Sequence, residues 1–266
     1  MKRPTVRRFA WYCLAVPRCA ACGKLLEADA ALSGNPGSDI LCTDCRADWE
    51  REKLSPCSIC GEAAIDCRCL PPVLAEAGAE VLVHLGKYRA DSAVGRLILR
   101  LKEHRLCRAA DFAAAQLIPG LRRACAALNL EPGALIVAYL PRSKRARRFW
   151  GHDQAELVAR ALAGRLGATF APLLTRASDG AAQKTLSAGA RRENVVGAFV
   201  PTQNADYRNR AVLLFDDVLT TGASMAEGVR VLREAGARCV LCAVLGVTVS
   251  HVLAGKTARA GEKNKK

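Results

Sequence analysis

Residues 212–237, VLLFDDVLTTGASMAEGVRVLREAGA, constrain the fold of this 266-residue chain more than any other stretch. The run from Val212 to Phe215 is apolar without alternation, as in a parallel strand that is buried on both faces. Two aspartates and the small, hydroxylated run TTGAS follow it. Ser224 then opens an apolar pattern with helical spacing, which Gly236 closes. The stretch therefore predicts a strand that ends at Phe215, a tight loop and an amphipathic helix.

The loop between the predicted strand and helix has the features of an anion site. Free backbone N–H groups and the positive end of the helix dipole meet at a helix N terminus, and small residues let an anion approach the backbone closely. Ser224 and Glu227 have the spacing of a capping box, which would fix the helix start. The loop residues are Thr220, Thr221, Gly222, Ala223 and Ser224.

Asp216 and Asp217 stand beside this loop, at the carboxyl end of the strand, where open α/β sheets bind their ligands. Their carboxylates can accept hydrogen bonds or hold a cation. The sequence assigns them no partner, so Asp217→Ala is expected to lower ligand affinity while stability is unchanged or raised. A sugar phosphate would satisfy both halves of the site, with its phosphate in the loop and vicinal hydroxyl groups on the aspartates.

Strand and helix patterns alternate over the second half of the chain. ALIVAYLP, ATFAPLL and CVLCAVLGV are apolar runs of strand length, and QAELVARALAGRLG is an amphipathic helix that ends at a glycine. The polar residues 175–195 form a long loop. Residues 82–130 have helical periodicity, and one face of the first helix carries Val94, Leu97, Ile98 and Leu101. This order predicts an α/β fold with a mostly parallel sheet and flanking helices.

Eight of the 13 cysteines form close pairs between residues 19 and 69. In a long chain, such pairs indicate metal ligands in a reducing compartment rather than a disulfide framework. Four thiolates around one Zn²⁺ make a closed structural site, and two sites are favoured over one, with an interleaved pairing still open. A chelator is expected to unfold residues 1–72 and to leave the α/β domain folded. The ligands are Cys19, Cys22, Cys42, Cys45, Cys57, Cys60, Cys67 and Cys69.

Composition and charge narrow the function classes. An apolar fraction of 51% with 24% charged residues is typical of a globular protein. The formal charge of +15 favours polyanionic partners such as nucleic acid, phosphorylated metabolites or anionic lipid. No apolar run approaches the roughly 18–20 residues of a membrane-spanning helix. The start of the chain imitates a signal peptide but lacks a convincing cleavage site, so a cytoplasmic location is expected.

The stretch VLLFDDVLTTGAS resembles the phosphoribosyl-pyrophosphate signature of type I phosphoribosyltransferases. The resemblance implies that residues 220–224 bind the 5′-phosphate, that Asp216 and Asp217 bind the ribose 2′- and 3′-hydroxyl groups, and that Mg²⁺ accompanies the ligand. The purine-salvage branch of this fold has a carboxylate base just before Thr-Gly. Thr220 takes that position, so purine salvage in its familiar form is not expected, and no catalytic residue is identified.

Further motifs resemble the ComF family of competence-associated proteins over nearly the whole chain. PRCAACGK is similar to the family's cysteine motif, YRADSAVGRLILRLK to its Tyr-to-Lys helix, and Gln183, Leu186, Arg191, Asn194 and Phe199 to its Gln-Leu-Arg-Asn-Phe loop. One motif departs from the pattern. Where the family has Arg-Gly-Phe-Asn-Gln, this chain reads WGHDQ and keeps only the glycine and the glutamine.

Basic residues supply candidates for the pyrophosphate half of the site. The run LPRSKRARRFWGHDQ follows the first core strand, where this fold has its pyrophosphate loop, and the residues 175–195 correspond to the flexible loop over the active site. Their cations would stabilise a leaving group. The candidates are Arg142, Lys144, Arg148, Lys184 and Arg191.

These observations predict a type I phosphoribosyltransferase-like fold preceded by a small cysteine-rich module. The expected division is a zinc-binding module at 1–75, a helical connector packed on the core at 76–131, the phosphoribosyltransferase-type domain at 132–253 and a disordered basic tail at 254–266. Two functions remain open. One is phosphoribosyl transfer from phosphoribosyl pyrophosphate to an unknown acceptor, linked to DNA uptake and its protein partners. The other is non-catalytic handling of single-stranded DNA by the zinc module and the basic surface.

Overall fold

A computed structural model describes residues 18–26, 40–177, 196–202 and 207–248. The helices are α1 (Thr43–Leu54), α2 (Pro72–Glu76), α3 (Ala93–Glu103), α4 (Cys107–Ala127), α5 (Lys144–Trp150), α6 (Gln154–Leu166) and α7 (Ala223–Glu234). The strands are β1 (Ala79–Val83), β2 (Gly86–Lys87), β3 (Ile136–Tyr139), β4 (Thr169–Phe170), β5 (Leu174–Arg176), β6 (Phe199–Pro201), β7 (Ala211–Leu219) and β8 (Cys239–Val247). A short 3-10 helix, Pro132–Ala134, precedes β3.

A parallel sheet forms the centre of the fold. Its strand order is β1-β8-β7-β3-β4, and β2 also pairs with β8. All of these pairs are parallel, whereas β5 and β6 form a separate antiparallel pair. The predicted α/β fold with a mostly parallel sheet and flanking helices is therefore confirmed. In the described part of the chain, no helix is long and apolar enough to cross a membrane.

Two hydrophobic cores cover the two faces of the sheet. Leu213 and Phe215 of β7 point into a core built with α1, α3, α4 and α6. Val212 and Leu214 point into a second core, built with α2, α7 and the β5–β6 pair. All four residues are fully buried, as expected for a central parallel strand. The predicted apolar face of α3 is confirmed too, since its four residues are buried in the first core.

The region between residues 79 and 87 corrects the helical prediction that began at Leu82. Strand β1 lies at the edge of the sheet, where it pairs in parallel with β8. Its sequence AEVLV is too short to show a clear period, and the open edge of β8 decides its conformation. A second correction concerns ATFAPLL, which forms two short strands instead of one. Pro172 separates them because proline cannot donate a ladder hydrogen bond.

Helix α1 joins the cysteine-rich region to the α/β domain. Its carboxylates on Asp48 and Glu52 accept hydrogen bonds of 3.1 Å from the backbone N–H groups of Ala93 and Val94, at the N terminus of α3. Trp49, between them in sequence, is buried in the first core. Cross-helix capping and a shared core mean that α1 packs as part of the α/β domain.

Candidate functional site

The two aspartates lie within β7 and leave it on opposite faces. Strand β7 continues to Leu219 because β8 is equally long and keeps pairing with it. The neighbouring strand β3 ends at Tyr139, beside Phe215. The prediction that the strand ends at Phe215 is therefore wrong, because pairing with β8 extends β7 by four residues, to Leu219. Successive side chains of a strand alternate, so Asp217 shares the face of Phe215, whereas Asp216 shares the face of Leu214.

Asp217 is a buried, partnered carboxylate. The residue is 8% exposed, and its Oδ2 accepts a 2.6 Å hydrogen bond from Gln154 Nε2 on α6. Lys102 Nζ, on α3, lies 3.2 Å from the same oxygen. This corrects the expectation that the aspartates have no partner without a ligand. The sequence could not reveal these contacts, because α3 and α6 meet β7 only in the folded chain.

Asp216 is held differently. Its Oδ1 accepts a 2.8 Å hydrogen bond from the backbone N–H of Asp217. Burial of the carboxyl group, and then the charge of Asp217, raise the pKa of Asp216 well above its ordinary value. The pair therefore combines an aspartate bonded to a cation with a neighbour whose ionisation is disfavoured.

The loop before α7 ends in a glycine with left-handed backbone conformation. Gly222 has a φ of 83°, and a Cβ there would lie 2.8 Å from Val73 Cγ1, so only glycine fits. Helix α7 begins at Ala223, and its N-cap residue is Gly222, which has no side chain to cap the helix. Thr221 Oγ1 accepts a 3.3 Å hydrogen bond from Ala223 N. Thr220 and Thr221 are exposed, and Ser224 is half-buried, so hydroxyl groups border an accessible helix N terminus.

Glu227 does not form the predicted capping box. The helix starts one residue before Ser224, and the Glu227 carboxylate is buried away from the helix start. Its Oε1 accepts a 2.7 Å hydrogen bond from Gly197 N, and Arg230 bonds to it as well. Glu227 therefore makes a tertiary contact with the segment before β6 and not the local contact of a capping box.

The basic run after β3 is a helix rather than an open loop. Arg142 precedes it, and its backbone N–H donates a 2.9 Å hydrogen bond to Asp153 Oδ2. Lys144 and Arg148 lie exposed on α5. The run begins at Leu140, whose backbone N–H donates a 3.0 Å hydrogen bond to Phe215 O, at the same edge of the sheet as the aspartates. The other two pyrophosphate candidates, Lys184 and Arg191, lie outside the described residues.

Helix α5 also carries exposed aromatic rings. Phe149 is 76% exposed and Trp150 is 40% exposed, and their ring centroids lie 4.8 Å apart. None of the helix residues is buried. Exposed apolar groups that lie next to polar or charged residues are typical of interaction surfaces.

Two residues at this site were not among the predicted ones, namely Lys102 and Gln154. Each stands in a motif that supports the ComF resemblance: Lys102 ends the stretch YRADSAVGRLILRLK, and Gln154 ends WGHDQ. His152 of the second motif has Nε2 2.8 Å from the carbonyl oxygen of Leu101, next to Lys102. The motifs were visible in the sequence, but their convergence on Asp217 was not.

The eight paired cysteines form two separate clusters. Within each cluster, the four sulfur atoms all lie within 4.8 Å of one another. The first cluster is Cys19, Cys22, Cys42 and Cys45, and the second is Cys57, Cys60, Cys67 and Cys69. The predicted grouping is confirmed, and the interleaved alternative is wrong.

The two clusters are built on the same turn. Gly23 N donates to Cys19 O and Gly61 N donates to Cys57 O, each at 2.9 Å, and both glycines have a φ near 77°. Burial alone would raise the pKa of Cys19 and Cys57, but backbone hydrogen bonds outweigh it and lower each pKa to about 7.

Burial makes four further thiols of the two clusters harder to ionise. Burial raises the pKa of Cys42, Cys45 and Cys67, and it raises the pKa of Cys69 to about 11. Four thiols at this separation ionise together only around a cation. Each cluster could therefore hold a metal such as zinc, which four thiolates bind as a closed tetrahedron.

The fold and this edge of the sheet define an α/β protein whose loop and helix N terminus can accommodate an anion. Residues 153–265 match the family model of the phosphoribosyl transferase domain. The chain is also 34% identical over 94 residues to adenine phosphoribosyltransferase from Mycobacterium marinum, over 35% of this chain and 50% of that protein. The chain thus spans half the length of this curated relative. Helix α3 and both cysteine clusters lie outside residues 153–265, which match the family model.

Proposed function

We propose that this chain binds phosphoribosyl pyrophosphate and acts as a phosphoribosyltransferase-type protein. The observation that carries the proposal is the N terminus of α7, which follows the strand of Asp216 and Asp217 after a short loop, within residues that match the phosphoribosyl transferase domain. The 5′-phosphate would occupy the loop of residues 220–224, because backbone N–H groups and hydroxyls donate there. Asp217 and Asp216 would accept hydrogen bonds from the ribose hydroxyl groups.

Basic side chains would hold the pyrophosphate. Arg142, Lys144 and Arg148 follow β3, and we extend the proposal to Lys184 and Arg191 on the grounds of the sequence motif. Mg²⁺ coordinates phosphate and carboxylate oxygens and neutralises a pyrophosphate leaving group. Since Asp217 Oδ2 already bonds to Lys102 and Gln154, the ion fits the oxygens of the ligand better than this carboxylate.

The acceptor is proposed to differ from a purine base. Thr220 stands where the purine-salvage branch has its carboxylate base, and the exposed threonine cannot take up a proton in that way. The curated relative acts on adenine according to its name, but this chain has a threonine and no carboxylate at position 220.

The ComF resemblance supports a role in DNA uptake in the cytoplasm, together with protein partners of that process. Both cysteine clusters are proposed to hold structural Zn²⁺, since their donor sets suit it. The division into a zinc module, a connector, a transferase-type domain and a tail remains part of this proposal.

Isothermal titration with phosphoribosyl pyrophosphate tests the proposal. We expect saturable binding that strengthens when Mg²⁺ is added and that weakens in Asp217→Ala. Asp111→Ala removes an exposed carboxylate on α4, which pairs with Arg165, and serves as the control. Equal affinity in wild type and Asp217→Ala, or no binding with Mg²⁺ present, would contradict the proposal.

A second candidate function is the handling of single-stranded DNA without catalysis. The exposed rings of Phe149 and Trp150 among the cations of α5 favour it, because bases stack on aromatic faces while phosphates bind cations. Fluorescence anisotropy with a labelled oligonucleotide should show a steep loss of affinity with salt. The double variant Phe149→Ala/Trp150→Ala should lose about 1–3 kcal/mol per stacked base. A shallow salt slope would rule this function out.

A further inference from the structure

Lys102 of helix α3 contributes a cation to the candidate site, although α3 lies outside residues 153–265, which match the transferase domain. Lys102 Nζ lies 3.2 Å from Asp217 Oδ2, and the lysine side chain is 33% exposed whereas that of Asp217 is 11% exposed. Among the described residues, no other cation lies within ion-pair distance of Asp216 or Asp217. The pairing is therefore a partly buried one, where charges interact more strongly than at the surface.

Neighbouring contacts hold Lys102 in place. The carbonyl oxygen of Leu101 lies 2.8 Å from His152 Nε2, and that of Lys102 accepts a 3.5 Å contact from Arg142 Nη1. Both bonds tie the end of α3 to the segment between β3 and α6. The backbone from which the Lys102 side chain extends is thus held by tertiary contacts.

The same oxygen of Asp217 also accepts from Gln154 Nε2, and this contact leaves Gln154 Oε1 buried and without a partner among the described residues. A buried amide oxygen without a donor is costly. The hydrogen bond from Gln154 Nε2 to Asp217 offsets this cost. Lys102 and Gln154 therefore act together on one carboxylate.

We propose that Lys102 is the built-in counter-cation of the sugar-phosphate site. It aims Asp217 at the ribose hydroxyl groups and takes the place beside the acidic pair that a divalent cation would otherwise have. This inference rests on the proposed function for its ligand. Lys102 also lowers the pKa of Asp216, against the stronger effects of burial and of Asp217, which agrees with a neutralising role.

Two consequences follow for the ligand-free and the bound protein. The acidic pair should have little affinity for Mg²⁺ alone, because a fixed ammonium group already neutralises Asp217. The bound Mg²⁺ would then arrive with the pyrophosphate. In addition, a site that depends on Lys102 needs α3, so the residues that match the transferase domain do not make a complete site by themselves.

Calorimetric titration of the full chain with MgCl₂ and, separately, with ribose 5-phosphate tests Lys102. In Lys102→Met we expect Mg²⁺ alone to bind at least about tenfold more tightly than in wild type, because Asp217 loses its counter-cation. Affinity for ribose 5-phosphate should fall about tenfold, because Asp217 is no longer oriented. Lys102→Arg keeps the cation and should stay within about threefold of wild type in both titrations.

A charge-matched control separates this role from general electrostatics. Arg165→Gln also removes one positive charge and breaks the ion pair with Asp111, but it lies on the far end of α6. It should change neither titration. Should Lys102→Met fail to fold by circular dichroism, Lys102→Gln provides the same test with a polar side chain.

The outcomes distinguish the two proposals. Equal Mg²⁺ affinity in wild type and Lys102→Met would overturn the role of Lys102, as would unchanged affinity for ribose 5-phosphate. Absence of ribose 5-phosphate binding in the wild type would overturn the proposed function, and the Mg²⁺ titration would then decide on Lys102 by itself.

Discussion

Gln154 Nε2 lies 2.6 Å from Asp217 Oδ2 and joins α6 to β7 at the carboxyl edge of the sheet. Lys102 reaches the same oxygen from α3. Three elements that are distant in sequence therefore depend on one carboxylate. This arrangement changes what the loss of that carboxylate should do.

Replacement of Asp217 by alanine should weaken both binding and folding. A hydrogen bond to a charged group contributes about 1.5–3 kcal/mol, which corresponds to roughly a 10- to 150-fold loss of affinity for phosphoribosyl pyrophosphate. The unfolding free energy should fall by about 1–3 kcal/mol, because Gln154 and Lys102 lose their partner. Titration calorimetry and urea unfolding measure the two effects. This stability prediction replaces the opposite one that the sequence suggested.

Gln154→Ala is the matched variant for Asp217→Ala. It removes one donor but leaves the carboxylate and Lys102, so the affinity should fall less than in Asp217→Ala. A melting temperature that stays unchanged or rises in Asp217→Ala would show that the contacts of this carboxylate do not stabilise the fold.

Asp216→Asn should make the protein more stable, and increasingly so as the pH rises. The pKa of Asp216 is raised by burial and by Asp217, so the folded state binds more protons than the unfolded state above about pH 4. Stability of the wild type therefore falls as the pH rises from the unfolded pKa to the folded one. Asparagine is always neutral, and its Oδ1 can still accept from Asp217 N.

Melting temperatures of wild type and Asp216→Asn between pH 4 and pH 9 test this prediction. The difference should be small at pH 4, should grow with pH and should level off once Asp216 is ionised in the folded protein. A difference that is largest at pH 4 would contradict the assigned cause.

Gly222→Ala should destabilise the loop before α7. Alanine at a φ of 83° costs about 1–2 kcal/mol, and its Cβ would press against Val73 Cγ1 at 2.8 Å. Affinity for phosphoribosyl pyrophosphate should fall along with stability. Gly164→Ala is the control, because that glycine lies in α6 with open space around its Cβ. It should stabilise the protein by up to about 1 kcal/mol, and equal effects of the two changes would contradict the prediction.

The sequence predicted the parts of this fold that are encoded locally. The unbroken apolar run of β7 and the apolar face of α3 follow from side-chain periods within one element. The cysteine clusters follow from pair spacing, which a turn with glycine at positive φ imposes.

Contacts between distant elements could not be predicted in this way. Gln154 and Asp217 are 63 positions apart, and neither neighbourhood indicates the other. Strand β1 forms because it pairs with the edge of β8. Glu227 does not cap its own helix because its carboxylate accepts a hydrogen bond from Gly197 N instead. In each case a tertiary partner overrode the local pattern.

Arg96 connects the first cysteine cluster to α3. Its Nη2 lies 3.4 Å from Cys45 Sγ and 3.2 Å from Asp48 Oδ2. Four thiolates around Zn²⁺ leave two excess negative charges, so a guanidinium next to one sulfur stabilises the loaded cluster. Arg96 also belongs to α3, the helix that carries Lys102.

Arg96→Met should therefore weaken metal binding at the first cluster. Loss of a hydrogen-bond partner of a metal ligand typically lowers metal affinity about 10- to 100-fold. We expect wild type to bind two zinc ions per chain, one in each cluster. In Arg96→Met, competition with a chelator of known affinity should release one zinc early, whereas the second cluster should keep its affinity and act as an internal control.

Arg123→Met provides the comparison beside the second cluster. Arg123 Nη2 bonds to Asp66 Oδ1 and Ile65 O, not to a thiol, so its removal should leave both zinc affinities unchanged. Because α1 caps α3 and shares the first core, early loss of zinc in Arg96→Met should also lower the melting temperature of the whole chain. The sequence instead suggested that a chelator would unfold residues 1–72 alone. If Arg96→Met and the wild type release zinc at the same chelator concentration, the contact of Arg96 with Cys45 does not support the metal site.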